Sequence, residues 1–195
     1  MPDRITDELL LAKAAGGDQA AFLILYERHR NAIFGFLYRL LGSVEIAEDI
    51  THDCFLSLIR KPENFNPARA SLRTYLYAAA RNLALKHFRN SGRETALDDL
   101  TEEPPMPRRQ EPLRRLLDEE LAAKVKEAVS DLPPLQREAL VLFEYEGLAL
   151  SEIASVVGTD VGAVKSRLHR ARERLRSSLA PYLNSSPEIV TLERA

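Results

Sequence analysis

Helical patterning stops in the middle of this chain and then restarts. From Asn90 to Pro112 the sequence NSGRETALDDLTEEPPMPRRQEP is polar, contains Pro104, Pro105, Pro107 and Pro112, and repeats no apolar position. Proline cannot sit in a helix interior, and a segment without periodic apolar residues has no face to bury. A chain of 195 residues interrupted in this way builds a core on each side of the break, and the break itself reads as a linker.

Both flanking blocks carry apolar residues at helical spacing. Gly16-Gly17-Asp18 marks a break and a capping residue. Phe22, Leu25, Tyr26, Ile33, Phe36, Leu37, Leu40 and Leu41 then predict a long helix, or a broken pair, ending at Gly42. Ala47, Ile50, Thr51, Cys54 and Leu58 line one side of a second helix reaching about Arg60, with Glu45, Glu48, Asp49, His52 and Asp53 around the rest. KPENFNPARA, residues 61–70, reads as a loop, and Ser71 caps a helix from Leu72 to about Arg89. On that helix Leu72, Leu76, Ala79 and Leu83 share one side. Arg73, Thr74, Tyr77 and Arg81 share the opposite side, which is expected to be exposed. Beyond the linker, helices are predicted from about 113 to 130, 134 to 145, 149 to 157 and 161 to 179, with a frayed tail after Pro181. No segment alternates like a strand. The expected fold is all-α: two helical domains joined by a flexible acidic, Pro-rich linker.

Charge is segregated although the total is only -2. Residues 72–93 hold Arg73, Arg81, Lys86, Arg89 and Arg93 and no acid, and 161–178 hold Lys165, Arg167, Arg170, Arg172, Arg174 and Arg176 against Glu173. Between them, 94–120 holds nine acids against four arginines. Two basic blocks far apart in sequence are compatible with a nucleic-acid partner despite the acidic total. A single cysteine excludes an internal disulfide, and no segment approaches the roughly 20 apolar residues of a membrane span, so a cytoplasmic protein without membrane insertion is expected.

Residues 149–172, ALSEIASVVGTDVGAVKSRLHRAR, have the layout of a helix-turn-helix: a short helix, a glycine-containing turn at Gly158-Thr159-Asp160, and a basic helix. Ile153, Ala154 and Val157 are placed to pack on Val161, Val164, Leu168, Ala171 and Leu175. Opposite that arc lie Gly162, Ser166, His169 and Arg170, flanked by Lys165 and Arg167, so that small residues permit close approach while donors reach phosphates and base edges. A solvated basic helix is the plainer account of such a charge run, and the preceding turn and half-helix weigh against it.

AEDITHDCFLSLIR (47–60) and SLRTYLYAAARNLALKHFRN (71–90), taken with LPPLQREALVLFEYEGLALSEIASVVGTDVGAVKSRLHRARERL (132–175), closely resemble bacterial RNA polymerase sigma factors of the extracytoplasmic-function group. The resemblance covers about residues 18–180. It implies a first domain over 1–90, a linker over 91–112, a second domain over 113–182 and a tail over 183–195. It further implies that Asp49, His52, Asp53 and Leu56 dock on core RNA polymerase, with His52 standing where Gln or Glu is more frequent. Asn64, Phe65, Asn66 and Arg69 on the loop, with Arg73, Tyr77, Arg81 and Asn82 on the helix, are the candidates for reading and melting the minus-ten promoter DNA. Melting captures unstacked bases, which aromatic and basic groups accomplish by stacking and phosphate neutralisation. Tyr75, where Trp is common, falls near the apolar arc and is assigned to the core. Gly162, Lys165, Ser166, Arg167, His169 and Arg170 are the candidates for the minus-thirty-five duplex. Ala149 and Ala163 stand where Ser or Thr is frequent, leaving Ser151 or Asp160 to cap. An anti-sigma factor is the implied inhibitor.

The four histidines form no metal-ligand pattern, and neither a phosphate-binding loop nor a nucleophile elbow is present, so neither cofactor nor catalytic residue is expected. The competing function is a stand-alone helix-turn-helix regulator, which needs neither the 61–70 loop nor the Arg and Tyr face after it. A mimic that only sequesters an inhibitor needs neither basic block.

Overall fold

The structure, a computed structural model, describes residues 5–90 and 112–183. Among the described residues eight α-helices appear in this order: α1 Asp7–Ala15, α2 Gln19–Leu41, α3 Val44–Arg60, α4 Leu72–Asn90, α5 Pro112–Ser130, α6 Pro134–Leu140, α7 Leu150–Val157 and α8 Val161–Leu183. The first four form one helical domain and the last four another. The expected linker, apart from Pro112, and the tail beyond Leu183 lie outside the described residues.

Helix α1 had no counterpart in the periodicity, because Leu9, Leu10 and Leu11 run consecutively and the helix spans only nine residues. Its ends were nevertheless marked. The Thr6 hydroxyl accepts from the Leu9 amide, Asp7 and Glu8 occupy the first turn, and Gly17 follows at φ 95°. Leu10, Leu11 and Ala14 are buried. Asp7 ties the helix down by pairing with Arg28 and by lying 2.7 Å from His29 Nε2 on α2.

Helix α2 is one unbroken rod. The Asp18 carboxylate accepts from the Ala21 amide at its start, and Gly42 ends it in the left-handed region at φ 75°, where a side chain is disfavoured. Helix α3 buries Ala47, Ile50, Thr51, Cys54 and Leu58, the side that periodicity had picked out, together with Phe55. The Thr51 hydroxyl, out of water, donates back to the Ala47 carbonyl at 2.6 Å.

In the second domain, Ile153, Ala154 and Val157 of α7 close on Val164, Leu168 and Ala171 of α8, as the spacing predicted. The predicted helix over 134–145 divides. After α6 the backbone widens into a π turn, Val141–Tyr145, followed by Gly147 at φ 64°. One extra residue in a turn is invisible to a 3.6-residue period. Helix α8 continues through Pro181 to Leu183, past the end expected near 179.

The two domains touch. Helix α4 lies along α7, and α2 meets α6 and the π turn, so the buried apolar residues of both domains form one continuous cluster.

Candidate nucleic-acid interface

Three surfaces carry the candidate residues, and they differ in accessibility. On α3, Asp49, His52 and Asp53 are exposed and Leu56 is half-buried beside them. The His52 ring stands edge-on to Tyr26, 6.2 Å between centroids, and Tyr26 packs in turn on the buried Phe55 at 4.9 Å. An apolar support thus holds an acidic surface whose outer groups all face solvent.

On α8, Gly162, Lys165, Ser166, His169 and Arg170 are exposed. The helix starts on Asp160, whose Oδ1 accepts from the Ala163 amide at 2.8 Å. Asp160 therefore supplies the cap that Ala163 lacks. A Cβ on Gly162 would stand 3.0 Å from that carboxylate oxygen, so the glycine leaves room for the cap as well as for an approaching backbone. At α7 the Glu152 carboxylate accepts from the Ala149 amide at 2.9 Å, and no side chain caps the helix in return. Ser151, the alternative cap, lies inside α7.

Arg167 departs from the expected face. It is half-buried, and its Nη1 lies out of solvent without a hydrogen-bond partner among the described residues. Its charge acts on the Glu138 carboxylate of α6, so the side chain turns inward from its neighbours Ser166 and Arg170. Arginine's long stem allows this, and a helical wheel cannot show it.

The third surface, α4 with the loop before it, is where expectation and structure differ most. Asn64, Asn66, Arg69 and Asn82 are exposed. Phe65 is not: it is 9% exposed and packs edge-on against Tyr75 at 5.5 Å, so this loop aromatic belongs to the core that Tyr75 was expected to join. The Arg73, Thr74, Tyr77 and Arg81 side was expected to be exposed, but the second domain covers most of it: Thr74 and Tyr77 are buried and Arg81 half-buried, while Arg73 stays exposed as expected. Tyr77 is 0% exposed and donates its hydroxyl to Glu146 Oε2 at 2.5 Å. Arg73 donates to the Glu146 carbonyl. The Thr74 hydroxyl donates to Glu152 Oε1 at 2.9 Å, and Arg81 Nε donates to Glu138 Oε1 at 2.5 Å. Arg39, from α2, adds a 3.7 Å ion pair to Glu146 and lies 4.5 Å over the Tyr145 ring.

These contacts explain the electrostatics of the interface. Burial, then the Glu146 hydrogen bond and charge, push the Tyr77 hydroxyl far above its ordinary pKa, with Arg73 opposing. Burial also raises the Glu138 carboxyl, against Arg81 and Arg167. Glu138, Glu146 and Arg39 were not singled out by the sequence, because nothing in a local pattern says that a polar residue will face another domain. Cys54 is buried, its thiol is pushed up to about 12 by that burial, and its Sγ lies 3.7 Å from the Leu76 carbonyl. Among the described residues no His, Cys, Asp and Glu cluster is fit to hold a metal ion, and no helix is long and apolar enough to cross a membrane.

Comparison with known proteins places these surfaces in context. Residues 25–94 match the model of sigma-70 region 2, and residues 122–175 match that of sigma-70 region 4. The chain is 31% identical over 188 residues to the RNA polymerase sigma-H factor of Pseudomonas aeruginosa, spanning 92% of this chain and 97% of that protein. It is 33% identical over 180 residues to the ECF RNA polymerase sigma factor SigE of Mycolicibacterium smegmatis, spanning 89% and 68%. Among solved structures it is similar to CnrH in complex with the cytosolic domain of CnrY, with TM-score 0.65, 27% identity, and 90% of this chain against 97% of that one. The fold also matches the sigma factor RpoE from Bartonella quintana, solved with the anti-sigma factor NepR, with TM-score 0.67, 24% identity, and 82% against 96%.

Proposed function

This chain belongs to the extracytoplasmic-function group of bacterial RNA polymerase sigma factors, promoter-specificity subunits that are not themselves enzymes, and from that membership we propose how its surfaces divide the work. The first domain, 1–90, docks on core polymerase through the α3 face of Asp49, His52, Asp53 and Leu56. It reads and melts the minus-ten DNA with Asn64, Asn66, Arg69, Arg73, Tyr77, Arg81 and Asn82. The second domain, 113–182, reads the minus-thirty-five duplex with the exposed face of α8. The protein works in the cytoplasm, beside the polymerase. An anti-sigma protein is a further proposed partner, and CnrH, itself 27% identical to this chain, is held with the cytosolic domain of a second protein.

The observation that carries the reading is the division of α8. Val164, Leu168 and Ala171 are buried against α7, while Lys165, Ser166, His169 and Arg170 point away from it into solvent. A rigidly seated helix that presents small residues and donors on its outer side is what major-groove reading requires.

The test is run-off transcription on fragmented genomic DNA from the source organism, with its core polymerase, in the presence and absence of the protein. Discrete new transcripts sharing an upstream sequence are expected, and Lys165→Ala with Arg170→Ala should weaken them. Core polymerase that gains no promoter selectivity from the protein would overturn the assignment.

A further inference from the structure

Of the three candidate surfaces, only the α4 face has part of its length covered within the chain: Thr74 and Tyr77 are buried, Arg81 is half-buried, and Arg73, although exposed, is engaged. Its donors are not merely shielded but matched. The Tyr77 hydroxyl, the Arg73 and Arg81 guanidinium groups and the Thr74 hydroxyl each meet an acceptor of the second domain. Three of those acceptors are carboxylates: Glu138 on α6, Glu146 after the π turn and Glu152 on α7. Carboxylate and phosphate oxygens satisfy the same donors in the same forked geometry.

Glu146 is the centre of this contact. One of its carboxylate oxygens takes the Tyr77 hydroxyl, the other faces Arg39, and its backbone carbonyl takes Arg73. Residue 146 owes this position to local backbone geometry. The π turn Val141–Tyr145 shifts the end of the helix by one residue, and Gly147 turns the chain at φ 64°. Two smaller features support the arrangement. Gly35 has no Cβ where Arg39 passes, since one would stand 2.7 Å from its guanidinium, and Arg137 spans the domains by donating to the Leu40 carbonyl at 3.5 Å.

We propose that Glu146 is a built-in occupant of the α4 DNA face, an intramolecular stand-in for promoter phosphate that keeps the free chain closed. The proposal rests on the reading of α4 as the minus-ten surface. The exposed acids of α3 give polymerase a handle on the closed chain, and separation of the two domains then releases Arg73, Tyr77 and Arg81 together. A chain with a weakly acidic total and a plugged basic face binds DNA poorly until it is docked.

The experiment compares the full-length wild type with Glu146→Lys, and with Glu173→Lys as a control that makes the same change of charge on the exposed side of α8. Glu146→Ala accompanies them in case lysine disturbs packing, and far-UV circular dichroism verifies that each variant is helical. Two quantities are read: the radius of gyration by small-angle X-ray scattering, and fluorescence-anisotropy binding of a labelled single-stranded DNA of about 16 nucleotides, the upper end of common site sizes. If closure holds about nine chains in ten, opening raises apparent DNA affinity roughly tenfold. Glu146→Lys and Glu146→Ala should both expand the chain and tighten binding, the latter gain vanishing when Arg73→Ala and Arg81→Ala are added. Glu173→Lys should leave the radius unchanged and tighten binding far less. An unchanged radius in both Glu146 variants overturns the closure. Expansion without tighter binding overturns the reading of α4 as the DNA face and leaves the closure standing.

Discussion

Ala149→Ser should stabilise the helix-turn-helix, by an amount that follows from the geometry at the start of α7. Ala149 sits at φ -67°, ψ 153°, the extended conformation of a helix N-cap, and its amide already donates to Glu152 Oε2 at 2.9 Å. Half of a capping box is therefore in place. The missing half is a side-chain oxygen at 149 to accept from the Glu152 amide, one of the helix's unpartnered first-turn donors. The backbone needs no adjustment, and position 149 is exposed, so the added hydroxyl displaces no packing. Exchanging Ala for Ser at such a cap is worth about 1 kcal/mol, or a rise in Tm of about 2–4 °C for a chain of this size. Thermal unfolding followed by circular dichroism measures it, and hydrogen exchange at the α7 amides localises it. An unchanged or lower Tm would refute the reasoning, because it would mean that the Glu152 amide already has a partner or that residue 149 is not the cap.

The opposite change at the next helix, Asp160→Ala, removes the acceptor of the Ala163 amide and should cost about 1 kcal/mol in the same assay. Glu138→Gln tests a buried charge. Burial holds the folded-state pKa of Glu138 above the ordinary 4.5, so the folded chain binds that proton more tightly than the unfolded one. The stability contributed by this site therefore rises as pH falls from the raised value toward 4.5. Glutamine, which resembles the protonated acid, should abolish that increment in denaturant unfolding and leave stability at pH 7 unchanged or higher; a loss there of more than about 2 kcal/mol would show that the Arg81 ion pair dominates. Lys165→Ala and Arg170→Ala, on an exposed face, should leave the unfolding free energy within about 0.5 kcal/mol of wild type while weakening promoter selection. Cys54, buried and with its thiol raised to about 12, should react with a thiol reagent only on unfolding; rapid modification of the native chain would place it at the surface.

The order of accessibility among the three faces bears on how such a subunit is used. The α3 acids and the outer side of α8 are exposed while Tyr77 on α4 is covered, so on the proposed reading a polymerase takes hold of the chain before the chain takes hold of melted DNA.

What could be read directly from the chain was local. Helix identity in α2, α3, α7 and α8 follows from apolar spacing and from Asp18, Gly42 and Asp160 at the ends, because caps and amphipathic stripes act within a few residues. The same locality made the packing of Ile153 and Val157 on Val164 and Leu168 legible, since a three-residue turn leaves those two helices few alternatives. Tertiary structure decided the rest. A wheel showed that Arg73, Tyr77 and Arg81 share a side of α4, but whether solvent, DNA or another domain meets that side depends on residues 57–73 positions away. Phe65 was legible as an aromatic on a polar loop, and its burial follows only once Tyr75 stands beneath it. Arg167 shares the basic helix with Arg170 yet is half-buried with its Nη1 out of solvent, because a long side chain need not follow the helical period of its backbone. Periodicity reports which residues travel together; the covering surface, and with it the burial and electrostatics of each group, is set by contacts that only the folded chain brings into range.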